Sequence, residues 1–171
     1  IDIAHNIQQT TDGGYIVAGT TSSKDGDVTE NKGKEDFWIL KLDNKGNLTW
    51  EQTLGGSNLE LFPTIKQTND GGYIITGGSN SNDGDISDNH GNWDYWVVKL
   101  DQNGNIIWQK SLGGSNRDIA HSIVQTAEGD YIVAGNSVSS DGNVPSNKGE
   151  SDCWIVKLNQ NGKISWQKLL G

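Results

Sequence analysis

The sequence is poor in the residues and patterns that would place it in several common protein classes. It has no methionine, two prolines and a single cysteine, Cys153, which cannot form an intramolecular disulfide. Its longest apolar runs, such as YIVAG and CWIV, are too short to cross a bilayer as a helix. Basic residues number 13 against 22 acidic ones, for a net charge of −9. We therefore expect neither nucleic acid nor membrane insertion, because a phosphate-rich surface would repel this chain.

No segment has a sustained 3.6-residue apolar period, which excludes helix as a main element. The chain is instead rich in glycine, with 23 residues, and in the Asn, Asp and Ser that form tight turns. There is no signal peptide and the first residue is Ile1. This start indicates a processed chain, an excised fragment or an engineered protein.

A repeat of 58 residues runs through the whole chain. The three tryptophans that end the phrases LDNKGNLTW, LDQNGNIIW and LNQNGKISW keep this step, as do several other landmarks. A fixed period in this range indicates a repeat architecture. We predict one domain, 1–171, with repeats at about 5–62, 63–120 and 121–171, and residues 1–4 completing a loop between repeats.

Each repeat contains four predicted strands. The first and second are joined by a Gly-bearing turn, and the third and fourth by NKG or QNG, a strong hairpin signal. In the third strand, Phe37, Trp38 and Ile39 place apolar side chains on both faces, as expected for a sheet packed between two neighbours.

The predicted fold is an all-β β-propeller with three four-stranded antiparallel blades. In a closed ring of three blades, neighbouring blades would meet at too steep an angle for their faces to pack. The chain is therefore expected to be half of a six-bladed ring or a fragment of a longer propeller. A homodimer that completes the ring is the predicted partner. The β-trefoil and the β-prism remain alternatives, although both usually have shorter units.

The run from GGYIVAG through DFWILKLD to GNLTWEQTLGGS resembles the roughly sixty-residue propeller repeats of secreted and surface-anchored bacterial proteins. The hairpin LDNKGNLTW is also similar to the tryptophan-docking motif of quinoprotein-type propellers, with Asp43, Gly46 and Trp50 in the same order and a turn about one residue shorter. The resemblance implies a propeller and a bacterial extracellular or cell-surface location. It implies no quinone cofactor. The residues predicted to pack between blades are Trp50, Trp108 and Trp166.

The long loops between the second and third strands of each blade are expected to lie at the same end of the blades as the loops between blades, because successive loops alternate between the two ends. Their oxygen spacing is close to that of an EF-hand loop, although the sharp-turn glycine and the bidentate glutamate are missing. Asx-turns that satisfy backbone N–H groups are the alternative interpretation. The predicted calcium ligands are Asp25, Asp27, Asn31, Asp36, Asp83, Asp85, Asn89, Asp94, Asp141, Asn143, Asn147 and Asp152.

Tryptophan and histidine are the two other residue types that could form a site. Trp93 stands in a polar loop where the other repeats have Glu35 and Ser151, so it is a candidate for an exposed sugar or partner contact. His5 and His121 occupy equivalent positions but have no metal-ligand spacing, which makes zinc improbable. No catalytic residue is predicted.

The leading hypothesis is therefore a non-enzymatic extracellular scaffold for binding or assembly. It would present repeated acidic loops on one face, with Ca²⁺ as an ordering ion and a glycan or surface protein as a further partner. One alternative is a lectin or glycan-active enzyme that uses loop carboxylates and Trp93. Another is an engineered repeat protein whose only activity is self-assembly.

Overall fold

The computed structural model describes residues 1–171 and contains twelve β-strands and no helix. The strands are β1 (Asp2–Gln9), β2 (Tyr15–Thr21), β3 (Asp36–Leu42), β4 (Leu48–Leu54), β5 (Glu60–Gln67), β6 (Tyr73–Ser79), β7 (Asp94–Leu100), β8 (Ile106–Leu112), β9 (Asp118–Gln125), β10 (Tyr131–Ser137), β11 (Asp152–Leu158) and β12 (Ile164–Leu170). They form three four-stranded antiparallel sheets in chain order, which we call blade 1 (β1–β4), blade 2 (β5–β8) and blade 3 (β9–β12). The predicted all-β fold of three four-stranded blades is confirmed. No helix long and apolar enough to cross a bilayer is present.

The turn between the third and fourth strands of each blade follows from its sequence. In blade 1, Asp43 Oδ1 accepts hydrogen bonds from the backbone N–H groups of Lys45 and Asn47. Gly46 follows with a φ of +84°, a conformation that costs other residues strain. The equivalent Gly104 and Gly162 have φ values of +87° and +74°. An Asx-type turn closed by glycine therefore sets the register of every outer hairpin.

The three blades stack face to face around their first strands. Strands β1, β5 and β9 contact one another in that order, so they are the inner strands of the stack. One apolar core lies between blades 1 and 2 and another between blades 2 and 3. Strands β6 and β7 of the middle blade are buried along their whole length, because sheets cover both of their faces.

The connections divide between the two ends of the blades. We call one end the loop rim, and it carries residues 22–35, 80–93 and 138–151 with the blade-to-blade connections 55–59 and 113–117. These connections contact each other there: the backbone N–H groups of Ser57 and Ser115 donate to Asp83 Oδ1 and Asp141 Oδ1, each at 2.7 Å. The opposite end, the hairpin rim, carries only tight turns.

Candidate functional site

The inner strand of each blade carries a β-bulge at the same level. Pairing of β1 with β2 skips His5, and pairing of β9 with β10 skips His121. In β5 the pairing skips two residues, Phe62 and Pro63, and Phe62 has a φ of +61° that is unusual for a large side chain. Bulges redirect unpaired side chains and are common beside active sites. The repeated bulge therefore identifies this level of the stack as a candidate site.

The three bulges border one cavity of about 260 Å³, which we call the axial cavity. Both imidazoles are exposed in it, together with half-buried polar groups and the ring of Phe62. The lining residues are His5, Asn6, Phe62, Pro63, Thr64 and His121. Asn6 Oδ1 accepts a hydrogen bond from the Ile65 backbone N–H at 3.1 Å. The Asn6 amide N–H₂ group therefore remains as a donor for a ligand in the cavity.

A hydrogen-bonded chain connects His5 to a carboxylate. The Thr20 hydroxyl donates to Glu35 Oε1 at 2.8 Å, so its oxygen accepts from His5 Nε2 at 3.3 Å. This arrangement puts the proton of the neutral imidazole on Nε2 and leaves the lone pair on Nδ1. Glu35 thus fixes the orientation of the Thr20 hydroxyl, and through it the orientation of the His5 ring.

His121 is held in a similar way but without a carboxylate. Its Nε2 donates to Asn136 Oδ1 at 2.8 Å, and Asn136 occupies the repeat position of Thr20. The neutral ring therefore also carries its lone pair on Nδ1. The two imidazoles share a tautomer, but only His5 is connected to a carboxylate.

Sequence reasoning did not find this site. The sequence shows that His5 and His121 are equivalent positions of the repeat, without metal-ligand spacing between histidines. What sequence reasoning missed was that equivalent positions on inner strands meet at one axis. The third histidine, His90, lies on the loop rim, where its Nδ1 is 2.7 Å from Asp94 Oδ2.

A second repeated feature lies where each blade joins the next, beneath the loop rim. Asp36 and Glu60 are both fully buried at the junction of blades 1 and 2, and their oxygens meet beside Gly55, where a Cβ atom would clash with both. Asp94 and Asp118 meet beside Gly113 in the same way. We call these the junction acid pairs.

Burial changes the protonation of the first junction acid pair. It raises the pKa of Glu60 to about 7 and also raises the pKa of Asp36. Asp36 Oδ1 receives no hydrogen bond from a conventional donor. A protonated Glu60 supplies that donor, and two carboxyls that share one proton avoid the cost of burying two adjacent charges. The pair is sealed from solvent, so its role is in packing the blades.

The repeated tryptophans contact the next blade. Trp50 lies edge-on to Tyr73, with ring centroids 5.8 Å apart, and its ring covers Gly104. Trp108 makes the same contacts with Tyr131 and Gly162, and its Nε1 donates to the Gln160 carbonyl at 3.0 Å. Trp166, in blade 3, packs against no other of the three blades and is 43% exposed.

Nine of the twelve residues predicted as calcium ligands lie on the loop rim, whereas Asp36, Asp94 and Asp152 are buried at the starts of β3, β7 and β11. Most of the twelve bond to backbone. Asn31 donates through Nδ2 to the Thr21 carbonyl and accepts from the Gly33 N–H, and the other two loop asparagines repeat this pattern. Asp25 and Asp27 are exposed. No three His, Cys, Asp or Glu side chains converge as metal ligands. Calcium ordering of these loops stays a prediction, to be decided by whether EDTA changes the melting temperature.

Trp93 is half-buried, not fully exposed as its polar loop suggested. Its Cε3 atom lies 3.3 Å from the position that a Cβ atom would take on Gly78, and its backbone forms a parallel bridge with Arg117. Part of the indole is thus used for packing, and a sugar contact by the remainder stays a prediction.

The comparisons with known proteins concern the same blades. The sequence model of the family Arylsulfotransferase (ASST) matches residues 40–170 of this chain. The chain belongs to this family. The family is of the β-propeller type, in agreement with the blades, whereas the specific likeness to tryptophan-docking repeats stays a prediction.

A more distant similarity is to the regulatory protein FlaEY of Caulobacter vibrioides, with 26% identity over 136 residues. The match includes 73% of this chain but only 14% of that protein, so the chain spans about a seventh of this relative's length.

The family corrects one expectation. Arylsulfotransferases are enzymes, so the prediction of a non-enzymatic module was wrong. That prediction assumed that an active site would break the likeness of the three long loops. The asymmetry lies instead on the inner strands, where the equivalent positions hold His5, Pro63 and His121. The extracellular location stays a prediction.

Proposed function

We propose that this chain carries part of an active site that transfers a sulfuryl group between aromatic alcohols, and that the axial cavity binds the sulfate ester. The substrate class comes from the family to which the chain belongs. The observation that supports the site is the presence of two bulge-borne imidazoles in one cavity, each held by its Nε2 atom.

The proposed reaction uses the two imidazoles as a base and an acid. His5 Nδ1 accepts the hydroxyl proton of the acceptor phenol as the phenol oxygen attacks sulfur. The sulfur–oxygen bond to the donor phenol breaks, and His121, starting as the imidazolium, gives its Nδ1 proton to the departing oxygen. One aryl sulfate and one phenol are consumed and one of each is formed. His5 ends protonated and His121 neutral, so a proton passes from His5 to solvent and from solvent to His121 before the next turnover. We assign the base role to His5 because the Thr20–Glu35 chain holds its Nε2 and leaves Nδ1 as the acceptor.

Sulfate oxygens need donors, since the chain as a whole carries a charge of −9. The Asn6 amide and the His121 imidazolium provide them within the cavity. None of the predicted calcium ligands is among the residues that line the cavity.

The test is an assay of sulfuryl transfer from p-nitrophenyl sulfate to phenol, in which the absorbance of the released nitrophenolate measures the rate. We expect His5→Asn and His121→Asn each to lower kcat/KM by about 100-fold or more, the usual contribution of a general acid or base. The loss in His121→Asn should be larger with phenyl sulfate, whose leaving group needs the proton more.

His90→Asn is the matched control, because His90 lies on the loop rim away from the cavity. No transfer by the wild-type chain, or an equal loss in all three variants, would contradict the proposal.

A further inference from the structure

Two faces of the stack are uncovered, although the same positions are buried elsewhere in the chain. On the free face of blade 1, Ile7 is 63% exposed, whereas its equivalents Ile65 and Ile123 are 0% and 1% exposed. On the free face of blade 3, Leu170 is 54% exposed. Its equivalents Leu54 and Leu112 are 0% and 4% exposed.

The two free faces are the two halves of one junction that occurs twice within the chain. At each internal junction, the earlier blade contributes a leucine, a docking tryptophan and an aspartate, and blade 3 presents Leu170, Trp166 and Asp152 at these positions. The later blade contributes an isoleucine, a hairpin glycine and an acidic residue. Blade 1 presents these as Ile7, Gly46 and Asp2.

The free half-sites already have the conformation that the internal junctions use. Asp2 accepts hydrogen bonds from the hydroxyls of Thr21 and Ser23, at 2.5 and 3.0 Å. Ser79, the equivalent of Thr21, holds Glu60 in the same way at 2.8 Å. On blade 3, Asp152 accepts from the Lys148 backbone N–H at 2.9 Å, as Asp36 and Asp94 accept at their own loops.

The docking position for tryptophan is also open. Trp50 covers Gly104 and Trp108 covers Gly162, but nothing lies within 4 Å of a Cβ atom placed on Gly46. On the free face of blade 3, Trp166 and Cys153 are both exposed. The repeat equivalents of Cys153, Phe37 and Tyr95, are fully buried. Blade 1 thus presents an uncovered hairpin glycine, and blade 3 presents the exposed indole that covers such a glycine at the internal junctions.

We propose that a second copy of this chain covers both faces, with blade 3 of each copy packed on blade 1 of the other. Trp166 would cover Gly46 of the partner subunit, and Leu170 would pack against the partner's Ile7. Asp152 would form a junction acid pair with the partner's Asp2, of the same Asp–Asp kind as Asp94 and Asp118. The two contacts are identical by symmetry and close a six-bladed ring, so no free face remains.

The proposal does not depend on the chemistry proposed above, although it bears on the same site. Closing the ring would place the inner strands of both copies around one axis. The partner's His5 and the partner's His121 would then join the axial cavity of the first copy. An open three-blade chain has only half of that wall.

The test is the mass of the wild-type protein by analytical ultracentrifugation over a range of concentrations. We expect twice the 18.5 kDa of one chain. Ile7→Lys and Leu170→Lys each place a charge in both contacts and should return the mass to that of one chain. Ile107→Lys is the control, because Ile107 is 56% exposed on the middle blade and belongs to neither free face. Near-UV circular dichroism verifies that each variant is folded.

Mixing the two variants distinguishes this head-to-tail contact from a symmetric one. An Ile7→Lys copy keeps an intact blade 3 face and a Leu170→Lys copy keeps an intact blade 1 face, so the mixture should form a two-chain species that neither variant forms alone. Three results would overturn the proposal: a single-chain mass for the wild type, a mass of three or more chains, or equal dimer formation by wild type and both face variants.

Discussion

At the scale of single residues, the junction acid pairs are the least expected feature of this chain. A buried carboxyl beside a second carboxyl would ordinarily destabilise a fold, because desolvation and repulsion both oppose its charge. In the Asp36–Glu60 pair, three of the four oxygens accept from backbone N–H groups or a hydroxyl, as when Glu60 accepts from the Gly56 N–H and the Ser79 hydroxyl at 2.9 and 2.8 Å. The fourth, Asp36 Oδ1, has no such donor. A proton held between Glu60 and Asp36 completes the set.

This pair makes stability depend on pH. The pKa of Glu60 in the folded chain, about 7, is raised above its ordinary value of 4.5, chiefly by burial. The folded state therefore binds the proton more tightly than the unfolded state. The free energy of unfolding should be highest below about pH 4.5, as far as this group is concerned, and should fall by about 1–3 kcal/mol as the pH rises through 7.

Glu60→Gln keeps the shape and a donor toward Asp36 while removing the titrating group. We expect urea unfolding at pH 5 and pH 8 to differ less in this variant than in the wild type. Glu30→Gln, at an exposed loop position, is the matched control and should leave the difference intact. Identical pH dependence in Glu60→Gln and wild type would show that Glu60 is not the group responsible.

At the scale of elements, the outer hairpin is the unit that joins one blade to the next. Its glycine serves two purposes, since it takes a positive φ and leaves room for the preceding blade's indole. Gly104 has a φ of +87° and lies under Trp50, with a Cβ position 3.1 Å from the ring. Gly71, in the other hairpin of the same blade, has a φ of +82° and nothing within 4 Å.

The two glycines separate backbone strain from packing. Gly71→Ala should lower the free energy of unfolding by about 1 kcal/mol, the cost of a positive φ for alanine. Gly104→Ala should cost about 1 kcal/mol more, because Trp50 must shift away from the added methyl group. Urea unfolding of both variants measures the difference. Equal costs would mean that the indole contact contributes nothing.

At the scale of the whole molecule, burial is greatest in the middle blade and least at the two ends of the stack. Strands β6 and β7 are buried throughout, whereas the side chains of β1 and β12 are largely exposed or half-buried. In a repeat protein each unit is stabilised by its neighbours, so the end units should open first.

Hydrogen exchange should show this gradient. In a single-copy form, for which Ile7→Lys is suitable, amides of β6 and β7 should exchange most slowly and those of β1 and β12 most quickly. The wild type, if paired, should gain protection in blades 1 and 3, most of all at β1 and β12, and not in blade 2. Uniform exchange across all three blades of the single-copy form would contradict neighbour-dependent stability and indicate one cooperative unit.

Much of the architecture was predictable from local signals. The Asn-Gly and Asp-Gly turns, the 58-residue period and the two-sided apolar pattern of residues 37–39 all act over short distances, and together they indicated stacked four-stranded blades. The axial imidazoles and the junction acid pairs were not predictable in this way. His5 and His121 are 116 positions apart, and nothing near either residue in the sequence shows that the inner strands meet.

The sequence by itself determined the strands, their turns and the number of blades, because hydrogen bonding within a hairpin and alternation along a strand are set by neighbouring residues. Only the tertiary structure decided which polar groups are sealed in pairs, which histidines share a cavity and which faces stay uncovered. Those outcomes depend on how one sheet lies against another, and contacts between sheets join residues whose separation along the chain carries no local signal.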